Sequence, residues 1–141
     1  MVTVKFSELL DALEFASFNG PIENRAFIDR ETGAVYFISD EIEFDEEVPA
    51  DIDESDRYLA VPHKNDLDLG RRLAISFVEQ FLPNEYDTVV ANFHKRGAYG
   101  KFKGLLDRHS VLEAWYKFET EATGQALKQW CQGHDIQLSV S

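Results

Sequence analysis

The chain has 141 residues, 44% of them hydrophobic, with eleven Phe, five Tyr and two Trp, enough apolar area for one core and too much for a disordered chain. Twenty-six acidic against fourteen basic residues leave a net charge of −12, which opposes long-range approach to nucleic acid or to anionic lipid. No apolar run reaches the ~20 residues that span a bilayer, the lone Cys131 has no partner for a disulfide within the chain, and Glu8, Asp11 and Glu14 interrupt the stretch where a secretory signal would be apolar, so a single cytoplasmic domain over 1–141 is expected.

The first element is a short helix between Ser7 and Phe18, where Leu9, Leu10, Leu13 and Phe15 recur near the helical period and Asn19-Gly20-Pro21 supplies a stop. Two β-prone runs follow, Ala26-Phe27-Ile28 and Val35-Tyr36-Phe37-Ile38, joined by Glu31-Thr32-Gly33 with glycine available for a positive φ. They predict a β-hairpin. Tyr58 to Val61 is a third strand, stopped by Pro62, which cannot donate to a ladder. The acidic connector from Asp40 to Asp56 is punctuated by Ile42, Phe44, Val48 and Ile52, which anchor it.

From about Asn65 the period is helical. Leu69, Leu73, Phe77 and Phe81, with Ala74 and Val78, form one stripe that ends at Pro83. Asn84 with Asp87 caps the next helix, which carries Val89, Val90 and Phe93. After Gly97 a short helix from Tyr99 to Arg108 turns Tyr99, Phe102, Leu105 and Leu106 inward, weakened by Gly100 and Gly104. Ser110 with Glu113 reads as a capping box for a long last helix that stops near Gly133. The tail IQLSV is either an edge strand or free. The resulting class is α+β: an N-terminal helix and a small antiparallel β-meander, then a C-terminal helical half of about four helices.

The segment GAYGKFKGLLDRHSVLEAWYKFETEATGQALKQW carries a Gly, an aromatic and a Phe-Lys pair, then Trp115-Tyr116-Lys117-Phe118-Glu119 and a second tryptophan, Trp130. TGAVYFIS, PADID and DRYLAVP precede it in order. In these residues the chain resembles the bacterial Uncharacterised Protein Family 0158, from the hairpin to Trp130, departing from its pattern at Gly100 and Gly104. The resemblance implies a fold and no assigned function.

The common chemical motifs fail on spacing. An EF-hand loop started at Asp51 meets Asp56 where glycine is required and Pro62 where glutamate is required, so the acidic run reads as a solvated loop or a patch for a basic partner. Gly97 to Lys101 is too short for a phosphate loop, and Phe102 stands where Ser or Thr is required. His63, His94, His109 and His134 are dispersed, with no metal-ligand spacing. Cys131 has no adjacent cation to activate it. No catalytic residue, metal or other cofactor is assigned.

One pattern stands out. The stretch His94 to Arg108 holds five of the fourteen basic residues. In the last helix Leu112, Trp115, Ala122, Ala126 and Trp130 form a stripe with Glu119 in its middle, and a buried carboxylate needs a paired cation. Arg96, Lys101, Lys103, Arg108, Trp115 and Glu119 are therefore the candidate site, either an anion-binding cluster or a structural ion-pair cluster, with Arg96 expected to pair with Glu119. The functional reading is a small acidic, non-catalytic interaction or regulatory protein with a protein partner or a second copy of itself. The alternatives are nucleic-acid binding through 94–108, to which the net charge is opposed, and an enzyme with an anion pocket near Glu119.

Overall fold

The computed structural model describes residues 2–18, 23–39 and 48–139. These form two compact units, Met1–Leu67 with Ala126–Ser141, and Asp68–Gln125. The division falls inside one long helix.

In the first unit β1 (Val2–Lys5) leads directly into α1 (Phe6–Ala16), which buries Leu9, Ala12 and Leu13. The stop expected at Asn19-Gly20-Pro21 lies outside the described residues. Ser17 instead marks the end: its hydroxyl donates to the Leu13 carbonyl and accepts from the Lys64 amide. The expected hairpin is present as β2 (Asn24–Asp29) and β3 (Val35–Ser39), antiparallel, with Phe27 opposite Tyr36. Phe15 of α1 meets Phe37 edge-on at 5.2 Å, so α1 covers the sheet face that carries Phe37. Gly33 in the turn adopts φ +80, as the sequence predicts.

The third strand, β4 (Tyr58–Ala60), joins β2 and not β3. The order is β3-β2-β4, which corrects the sequential order of a meander. The cause is the length of the connector, which lets the chain return to the far edge of β2. Its described part, from Val48, is anchored as expected by Ile52, buried at 4% exposure, while Ile42 and Phe44 lie outside the described residues. The sequence gives no warning of β1. It pairs in parallel with β5 (Ile136–Ser139), Val2 facing Ile136, in a separate two-stranded sheet. The tail is thus a strand.

The second unit starts with a correction. The helix expected from Asn65 is a 3-10 turn over Lys64–Leu67, and α2 proper is Arg71–Phe81. The break is local chemistry: the Asp66 carboxylate accepts from the His63 amide, His63 Nδ1 accepts from the Asn65 amide, and Asp68 takes a left-handed φ of 57. Leu73, Ala74, Phe77 and Val78 are buried, whereas Phe81 is about half exposed and stacks on Phe77 at 4.5 Å. A second 3-10 turn, Pro83–Glu85, runs into α3 (Tyr86–Asn92). Asn84 lies inside that turn and makes no side-chain cap. After α4 (Ala98–Arg108) comes α5 (Leu112–Gly133). No Ser110–Glu113 box is seen: Ser110 is left-handed at φ 58, and Val111, whose carbonyl accepts the Trp115 amide, stands at the head of α5.

Along α5 the buried residues are Trp115, Thr123, Leu127 and Cys131. Burial pushes the Cys131 thiol up to about 11, so it is protonated at neutral pH and packs as an apolar group. Among the described residues no helix is long and apolar enough to cross a membrane.

Candidate functional site

The basic stretch spans the end of α3, a turn and α4. Backbone bonds from His94 to the Ala91 carbonyl and from Lys95 to the Asn92 carbonyl wind α3 down. Gly97 then reverses the chain with φ +71, and its carbonyl accepts the Lys101 amide to begin α4. The three- and four-residue spacing of the apolar residues fixes the roll of α4. Phe102, Leu105 and Leu106 are buried, so Lys101, Lys103 and Arg108 face outward.

The buried side rests on aromatic rings. Phe93 meets Tyr99 at 5.3 Å and Phe102 at 5.9 Å, Phe102 meets Trp115 edge-on at 5.0 Å, and Trp115 meets Phe77 at 5.4 Å. Such edge-to-face pairs align ring quadrupoles and fix the positions of the helices that carry them. Trp115 is 1% exposed, and its Nε1 has no hydrogen-bond partner. Its place is structural, at the centre of this cluster.

The structure separates the residues that the sequence groups. Arg96 is exposed in the turn before Gly97, while Glu119 is half-buried on α5. No ion pair joins them, and among the described residues none includes Lys95, Arg96, Lys101, Lys103 or Arg108. The expected Arg96–Glu119 pair is therefore absent. The physical reason is that a half-buried carboxylate keeps part of its hydration and does not require a cation, and that closeness in sequence does not aim a side chain. Tyr99 instead lies in the field of Glu119. Burial raises the Tyr99 hydroxyl above its ordinary range, the negative charge of Glu119 adds to the rise, and Arg71 opposes it. Of the cluster, Lys103 has a defined aromatic neighbour, its ammonium 5.8 Å from the Tyr116 ring centroid. Arg108 folds back over Gly104.

Within the same unit Arg72 reaches Asp68 at 3.4 Å and His109 lies 3.5 Å from Glu85; the ion pairs of Arg25 and Arg57 lie in the other unit. Asp29, 2% exposed, accepts from Arg57 Nε at 3.0 Å and Nη2 at 2.9 Å, and from the Glu31 and Thr32 amides. The Arg57 guanidinium holds the Asp29 carboxyl down to about 2 against the opposing effect of burial. Arg57 also reaches Glu31 at 2.9 Å, and Arg25 binds Asp53 at 2.6 Å. Asp29 has a sequence signal, since Asp at the start of D-R-E-T-G is an Asx-turn residue. Its partner lies 28 residues on, with no local pattern that marks it.

Net charge is divided unevenly between the two units. Asp68–Gln125 contains eight acidic and eight basic residues, and the remainder of the chain contains eighteen and six, so the whole net charge of −12 belongs to the first unit. The second is neutral overall. Among the described residues no group of three or more His, Cys, Asp or Glu is placed to hold a metal.

No curated protein and no solved structure matches the chain. The model of one family does, across residues 1–141, and that family has no established function. The whole-length match, together with the α+β architecture, shows that the chain belongs to the Uncharacterised protein family (UPF0158).

Proposed function

We propose that this chain is a non-catalytic interaction protein of the cytoplasm, whose contact surface is the exposed basic segment that carries Lys95, Arg96, Lys101, Lys103 and Arg108, and that this segment takes an acidic protein surface. One observation carries this reading. In a chain with twenty-six carboxylates these five cations are exposed and, among the described residues, join no ion pair, so their charge is open to solvent and to whatever docks there. Exposed Tyr99 and Tyr116 beside them supply the amphipathic rings that such contacts favour.

Nucleic acid fits this segment less well. Phe102 is buried, the Tyr99 ring packs edge-on against Phe93, and Lys103 lies over Tyr116, which leaves no open ring pair for base stacking. An anion pocket at Glu119 is disfavoured by the negative field that Glu119 itself imposes on Tyr99.

Titration with polyglutamate, followed by fluorescence of the two tryptophans and by calorimetry, tests the proposal. Binding should weaken steeply with added salt and fall by at least about tenfold in a Lys101→Glu, Lys103→Glu variant whose circular dichroism matches wild type. Equal binding by variant and wild type, or tighter binding of an oligonucleotide than of polyglutamate, would rule it out.

A further inference from the structure

We infer that the acidic surface docking on α4 is the first unit of a second copy of this chain, a partner choice that rests on the function proposed above. Charge complementarity carries the choice. The chain holds both halves of the contact: a neutral unit with outward cations, and a unit with the entire net charge of −12. The counterpart is also built. The 51–56 turn is closed by bonds from the Glu54 and Ser55 amides to the Asp51 carbonyl, pinned by buried Ile52 and by the Arg25–Asp53 pair. It leaves Asp51, Glu54 and Asp56 exposed and, among the described residues, in no ion pair. These carboxylates sit on an anchored turn, so less conformational freedom is lost when they meet a partner.

Each copy carries both α4 and the 51–56 turn, so a two-fold pair of copies can use the contact twice. Repulsion between the two acidic units acts over longer distances and is cut by the screening length of about 8 Å at physiological salt, whereas charges in direct apposition are screened less.

Sedimentation velocity on the full chain provides the test. Wild type should show a concentration-dependent dimer at moderate salt. Lys101→Glu with Lys103→Glu should weaken it at least about tenfold, and Asp51→Lys with Glu54→Lys should do the same. An equimolar mixture of the two variants should regain a 1:1 complex, since each then presents the charge that the other lacks. A wild type that stays monomeric at its highest soluble concentration, or a mixture that fails to associate, overturns the pairing. Polyglutamate separates this inference from its premise. Binding by a monomeric wild type that is lost in the Lys101→Glu, Lys103→Glu variant removes the second copy as partner and keeps the acidic-surface reading, while failure of both assays removes both.

Discussion

Asp29 shows how one side chain organises a region. Two guanidinium nitrogens and two turn amides converge on a carboxylate that is almost fully buried, and the hydrogen bonds favour its charged form. Its carboxyl, held at about 2 in the fold against an ordinary 3.8, releases its proton more readily folded than unfolded. The stabilisation is therefore complete above the ordinary value and disappears as pH falls from about 4 toward 2. Asp29→Asn should destabilise the protein by about 1–3 kcal/mol at neutral pH. The difference from wild type in urea midpoint should shrink as pH is lowered through that window. The sequence exposes half of this cluster, the Asx-turn acid, and conceals Arg57, because a long-range ion pair leaves no periodic trace. The same blindness explains Arg96: a cation cluster and an acid on the following helix suggest a pair, and no ion pair joins Arg96 to Glu119.

At the scale of elements, glycine marks two opposite situations. Gly33 is left-handed, and a Cβ there would lie 2.6 Å from the Thr3 carbonyl oxygen, so the hairpin turn packs against the backbone of β1. Gly100 is helical, with nothing within 4 Å of an added Cβ. Gly33→Ala should cost at least about 1–2 kcal/mol from the backbone conformation alone, with the clash in addition. Gly100→Ala should instead stabilise α4 by about 0.5–1 kcal/mol. Thermal melts of the two variants should thus move in opposite directions. Elements with their own period or turn chemistry were legible: α1, the β2–β3 hairpin, β4, α4 and α5. Starts of helices were not, since Asp68 and Ser110 adopt left-handed conformations where capping patterns anticipate ordinary ones. β1 escaped notice because four residues running straight into a helix offer too short an alternation, and its partner lies at the far end of the sequence.

For the whole molecule the decisive feature is the uneven distribution of charge. Net charge alone counsels against an anionic partner, and that inference averages over two units that differ by the full −12. The basic segment was legible as a run of letters, but whether its cations pair with the described carboxylates depends on side-chain positions that the letters do not carry. Concentration of like charge in one unit opposes compactness there, so the melting temperature should rise as sodium chloride is added from low to physiological ionic strength. The same additions should weaken polyglutamate binding. A melting temperature that falls over this range would contradict the assignment of self-repulsion.

The β1–β5 ladder imposes an order of events. Val2 cannot find Ile136 until the intervening chain has collapsed enough to lower the entropy of closing so large a loop. This ladder is consequently a late seal on the first unit: α1 and the hairpin have to hold by their own packing while β1, already poised at the head of α1, awaits its mate.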